Sequence, residues 1–111
     1  MLTMDKLREY GADADEGLMR CMDNEAFYLM LVQKAMEDEK LVQLEQQLEE
    51  KAFEAAFETA HALKGMYANL SLTPLTEPVS EMTELLRKRT DTDYSELMEE
   101  AKTQFAKLRS L

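Results

Sequence analysis

The sequence predicts an all-α protein, an antiparallel up-down four-helix bundle with one or two short helices at its N-terminal end. Three observations carry this. Apolar residues recur at intervals of three and four almost throughout, which is the spacing of one helix face. The recurring stretches are divided by short breaks of Asp, Asn, Thr and Pro, the residues that start and stop helices. Nine Met, three Gly and two Pro in 111 residues favour helix over sheet. No internal repeat or long linker divides the chain, so residues 1–111 are expected to form one small domain around a single core.

The elements follow in order. Thr3 to Tyr10 places Met4 and Leu7 on one side of a short leading helix that Gly11 interrupts. Asp13-Ala14-Asp15-Glu16 sets acids at the positive end of a second helix, which packs through Leu18, Met19 and Met22. Asp23-Asn24-Glu25 is a break and a new N-cap. A strongly apolar helix then runs to about Met36 through Phe27, Leu31, Lys34 and Ala35, with Tyr28, Met30 and Val32 interleaved. Asp38 caps a short amphipathic helix carrying Leu41, Leu44 and Leu48. Ala52 to Leu70 is the central helix, with its stripe at Phe53, Ala56, Phe57, Ala60, Leu63, Tyr67 and Leu70. Thr73 is the expected cap of the next helix and Pro74 its first residue; Pro78 falls within about its first turn. That helix ends in Arg87-Lys88-Arg89, cations suited to a C-terminus. Thr90 to Asp93 is a turn, and Tyr94, Leu97, Met98, Ala101, Phe105 and Leu108 define the last helix.

Several functions are excluded or disfavoured. The formal charge of −10 argues against nucleic acid and against docking on an anionic membrane. No stretch approaches the roughly 20 apolar residues that span a bilayer. The N-terminus lacks a basic region followed by an apolar run, so no secretory signal is expected. One cysteine, Cys21, permits no internal disulfide and suits a reducing compartment, so the expected location is the cytoplasm. One Cys and one His are too few for a zinc site, and no metal is expected on this chain. The three glycines stand apart, so no phosphate-cradling loop for ATP exists. There is no G-x-S-x-G nucleophile elbow and no calcium-binding loop pattern.

What remains is His61, the only histidine. It lies at one edge of the central helix's apolar stripe. On a helix of 100° per residue, Gly65 falls about 40° and Lys64 about 60° from it on opposite sides, with Ala68 about 20° and Phe57 about 40° away. Glycine inside a helix costs roughly 1 kcal/mol relative to alanine, so Gly65 wants a reason. Close approach of another macromolecule beside His61 supplies one. A lone surface histidine is more often idle, and the cation and the gap are what weigh against that reading here.

His61-Ala62-Leu63-Lys64-Gly65 resembles the H-x-L-K-G signature of histidine-containing phosphotransfer (HPt) domains. The lead-in Asp23-Asn24-Glu25-Ala26-Phe27-Tyr28, with Leu29 and Leu31 after it, and the small Ala60 before the histidine are similar to the family pattern as well. The resemblance implies an up-down bundle with an exposed phospho-accepting His61, Lys64 as countercharge and Gly65 as the gap that lets a partner approach; the expected docking face comprises Phe57, Glu58, Gly65, Ala68 and Asn69. It implies that phosphate passes between His61 and aspartates of response-regulator receiver domains, with a hybrid histidine kinase a further partner. The chain would act as a phosphocarrier without kinase activity or cofactor of its own, and Mg²⁺ would sit on the receiver. A monomer is expected. Three positions depart from the pattern: Ser71 replaces a frequent glycine, Met66 replaces a small residue, and Glu58 stands where a basic or neutral residue is common. Two other readings use the same features: a phosphate-independent helical interaction module, and the N-terminal phosphotransfer domain of a chemotaxis-type kinase. The start at Met1 and the finish on a complete helix favour a free-standing protein.

Overall fold

The computed structural model describes residues 1–111 in seven helices and no strand: α1 (Met4–Tyr10), α2 (Ala14–Arg20), α3 (Glu25–Glu37), α4 (Lys40–Glu49), α5 (Phe53–Asn69), α6 (Thr73–Arg87) and α7 (Ser95–Arg109). The all-helical bundle is the one expected. Helix α5 packs against both α4 and α6, and α6 against α7, as consecutive antiparallel neighbours. Helix α3 lies against α7, and the two seven-residue helices α1 and α2 lead the chain.

Polar side chains start the first three helices. Thr3, Asp13 and Asn24 accept the backbone N–H of Lys6, Glu16 and Phe27 at 3.1–3.2 Å, which satisfies amides that have no partner within the helix. Two expected starts differ. Thr73 is the first residue of α6, not its cap; Leu72 occupies the cap and makes no side-chain bond there. Pro74 is consequently the second residue and Pro78 lies in the second turn, where its missing N–H leaves the Pro74 carbonyl without its helical donor. Asp38 sits one residue outside the cap of α4, yet its Oδ1 accepts from the Lys40 N–H at 2.7 Å.

Five helices end in the same way. After α1, α2, α4, α5 and α6 the chain turns left-handed at Gly11, Met22, Lys51, Ser71 and Arg89, and after α2 Asp23 is left-handed as well. After α5, Leu72 N–H reaches back to the Tyr67 carbonyl and Ser71 N–H to that of Ala68, both at 3.0 Å. The equivalent pair follows each of the other four. This reversal satisfies the last carbonyls of a helix and normally uses glycine; here four of the five turning points carry side chains.

The core is continuous from Leu2 to Leu108. Its α5 stripe is Ala56, Thr59, Ala60, Leu63 and Tyr67, and of the expected stripe Phe53 and Phe57 are only half-buried. Helix α3 instead buries Tyr28, Val32, Ala35 and Met36, leaving Phe27 and Met30 exposed. The Tyr28 hydroxyl donates to the Leu70 carbonyl at 2.8 Å, and its ring covers Gly17 so closely that a Cβ there would lie 2.5 Å from it. Together with the Asp13 N–H to Ser71 carbonyl bond, these contacts pin α2 and α3 to the end of the bundle where α5 turns into α6. No helix is long and apolar enough to cross a membrane.

Candidate functional site

Helix α5 is 17 residues long and His61 is its ninth, so the imidazole sits mid-helix, well away from both ends. Burial of Ala60 and Leu63 fixes the rotation of α5, and that rotation turns His61, Ala62 and Gly65 to solvent. Phe57, His61 and Gly65 recur at intervals of four, and Lys64 and Ala68 follow His61 and Gly65 by three, which lines them along one side of the helix.

The imidazole rests against Phe57, with ring centroids 5.5 Å apart and planes inclined by 31°. Phe57 is half-buried and its ring carries the Arg87 guanidinium, whose central carbon lies 5.1 Å from the centroid. Arg87 comes from α6, as does Glu84, whose carboxylate divides between two cations. One oxygen is 3.5 Å from Lys64 Nζ and the other 3.5 Å from Arg87 Nε. His61, Phe57, Arg87, Glu84 and Lys64 therefore form a chain of contacts that leaves α5, runs along α6 and returns to α5.

Gly65 is open: a Cβ built on it meets nothing within 4 Å. Internal packing thus gives no reason for glycine there, unlike Gly17, where the Tyr28 ring occupies the space. Met66 packs against the core and does not crowd this face. Ala68 is half-buried, and Asn69 is exposed as the last residue of α5. Glu58 is exposed and lines a shallow depression with Phe53 and Ala55 at the start of the helix. Thr59, through its bond to the Ala55 carbonyl, is the only α5 side chain hydrogen-bonded within the chain, so Glu58 does not orient the imidazole.

In the sequence Arg87 stands out only as a helix-terminal cation, and nothing there marks Glu84. Both reach this site because α6 runs back along α5, and the register of that pairing is set by the Leu70-Ser71-Leu72 turn, not by any local motif. A separate cleft of about 670 Å³ lies beside the start of α5, between Glu45, Glu49, Asp91 and Asp93. It includes Phe53, about 12 Å before His61 along α5, and is distinct from the histidine face. No three His, Cys, Asp or Glu side chains converge as a metal site requires.

What the arrangement can do chemically is narrow. It presents one imidazole ring on an open surface, braced by an aromatic neighbour that carries Arg87, with Lys64 one turn further along α5 and room for a partner's backbone at Gly65. The sequence profile of one family, described as Hpt domain, matches residues 28–111, from the second turn of α3 through α7. No curated protein and no solved structure matches the chain significantly.

Proposed function

The chain belongs to the family of Hpt domains, whose members are phosphocarriers that work with receiver domains in phosphorelay signalling, and on that premise we propose that His61 is its phosphoryl acceptor. The observation that carries the proposal is the open surface at Gly65 beside an exposed imidazole. A receiver domain can bring its aspartyl phosphate against α5 there without meeting a side chain.

Neutral imidazole is a competent nucleophile near physiological pH. In the proposed step the outward ring nitrogen, Nε2 by family resemblance, attacks phosphorus in line. The P–N bond forms as the P–O bond to the aspartate breaks, and the carboxylate leaves with the electron pair. The reverse step delivers the phosphoryl group to a second receiver. Phosphoryl transfer asks mainly for position and charge compensation. The receiver supplies Mg²⁺ and most catalytic groups; this chain supplies the nucleophile, Lys64 as a countercharge, and a docking face around Phe57, Gly65, Ala68 and Asn69. Glu58, at the margin of that face, bears on partner choice. The core running from Leu2 to Leu108 supports treating residues 1–111 as one domain, acting as a cytoplasmic monomer without kinase activity and taking phosphate from a receiver, which a hybrid kinase also carries.

The test is label transfer from a phosphorylated receiver domain. His61→Gln is expected to take up no label while its helical circular dichroism stays unchanged, and the wild-type label is expected to be lost in acid, as a P–N bond is. Acid-labile label on the His61 variant rules the assignment out.

A further inference from the structure

We propose that Glu84 is a competing carboxylate: it holds Lys64 and Arg87 while His61 is bare, yields them when a phosphoryl group arrives, and thereby lowers the share of phosphate the chain keeps at equilibrium. This deepens, and rests on, the assignment of His61 as acceptor.

The geometry of the two ion pairs is the starting point. Both are 3.5 Å long, whereas Arg8–Asp15 and Lys102–Glu45 in the same molecule close to 2.8 and 2.9 Å, the range of tight charge-assisted bonds. The three side chains are 33–50% exposed, so water screens them. Glu84 therefore keeps two cations near His61 without locking either. One carboxylate is shared between two positive charges, and Arg87 has a second hold on the Phe57 face.

A phosphoryl group on His61 changes the balance. It brings about −1.5 to −2 charge and three acceptor oxygens, against the single charge that Glu84 divides. Lys64 stands one turn from His61 on the same helix, with Cβ atoms about 5–6 Å apart. Arg87 already lies against the ring that supports the imidazole. On this proposal both cations turn toward the phosphoryl oxygens by side-chain rotation, with the backbone of α5 and α6 fixed. Each must leave Glu84 to do so, and that competition subtracts from the stability of the phosphorylated state. The effect suits a carrier that has to give its phosphate up again. Glu84 is in this sense a positioning residue, acting on the phosphoryl group through Lys64 and Arg87.

The experiment measures how label partitions at equilibrium between this chain and a receiver domain charged with acetyl phosphate. Glu84→Gln keeps the side chain's length and its half-exposed position while removing the charge. It is expected to move the partition about threefold toward His61, the size of one exposed ion-pair contribution. In a background carrying Lys64→Ala and Arg87→Ala the same substitution is expected to leave the partition unchanged. Two results overturn the proposal: an unshifted partition with Glu84→Gln in a chain that does take label, or an equal shift in both backgrounds, which would mean simple repulsion by Glu84. A wild-type chain that takes no label on His61 overturns the acceptor assignment itself and this proposal with it.

Discussion

The Phe57 ring makes two contacts of opposite kind: the His61 imidazole leans on it at 5.5 Å, and the Arg87 guanidinium lies over it at 5.1 Å. One half-buried side chain thus restrains the nucleophilic ring on α5 and seats a cation from α6. Its removal should disturb both without unfolding the bundle.

Phe57→Leu keeps an apolar side chain against the core but removes the aromatic face. Aromatic and cation–π contacts of this kind are each worth about 0.5–1.5 kcal/mol. Transfer into His61 is expected to slow about three- to tenfold, as read by quenched time courses with a phosphorylated receiver, while the thermal midpoint moves little.

The same substitution at two glycines should act with opposite sign. Gly65→Ala adds a methyl group to open space and removes a helix-interior glycine, so urea unfolding should show a gain of about 0.5–1 kcal/mol. Gly17→Ala drives a Cβ to 2.5 Å from the buried Tyr28 ring, whose hydroxyl is tied to Leu70 and so cannot give way. A loss of about 1–3 kcal/mol is expected there. Gly65→Gln should preserve the fold and reduce transfer at least about tenfold, because a long side chain then fills the docking gap.

Tyr28 also governs behaviour in alkali. Burial pushes its hydroxyl up to about 12 from the ordinary 10, and burial raises Tyr10 and Tyr67 in the same direction. These groups stay neutral in the folded chain at pH values where the unfolded chain has already lost the protons. Their contribution to stability is intact below about pH 10 and falls as pH rises toward 12. Tyr28→Phe should cost about 1 kcal/mol at pH 7 by leaving the Leu70 carbonyl unpaired. It should also flatten part of the alkaline slope, which denaturant titrations from pH 8 to 12 would reveal.

Ser71 sits at φ 54°, a left-handed conformation that costs a side-chain-bearing residue about 1–2 kcal/mol. Its hydroxyl recovers some of this by bonding Glu16 Oε1 at 3.1 Å. Ser71→Ala retains the strain and loses the bond, so it should be the least stable of the series. Ser71→Gly should exceed the alanine variant by about 1 kcal/mol in chemical denaturation; equal stabilities would contradict the strain argument.

The helices and the histidine face were legible because both are local. Ala56, Ala60, Leu63 and Tyr67 mark the buried side of α5, and the spacing from His61 to Lys64 and Gly65 places the open side. Helix α2 turns the expected Met19 and Met22 to solvent and buries Ala14 and Gly17 instead, and helix α3 is harder still to read. It is apolar nearly all round, so its period does not choose between the Phe27–Leu31 side and the Tyr28–Val32 side; the fit of Tyr28 over Gly17 decides. The reversals at Met22, Lys51, Ser71 and Arg89 carry no glycine to announce them. Thr73 and Pro74 look like a cap and a first residue, yet the Tyr67–Leu72 hydrogen bond draws the chain into α6 one residue earlier. Glu84 and Arg87 reach His61 only through the register between two helices, which no single stretch of sequence encodes.

Main-chain hydrogen bonds hold the reversals after α2, α4 and α6, and the residues at their turning points, Met22, Lys51 and Arg89, are exposed. The topology does not depend on the chemistry of those side chains. Charge and greasiness at both ends of the rod are therefore free to drift by single substitutions that leave the scaffold standing. A lineage of such bundles can diversify the surfaces it offers to other proteins faster than it changes its architecture.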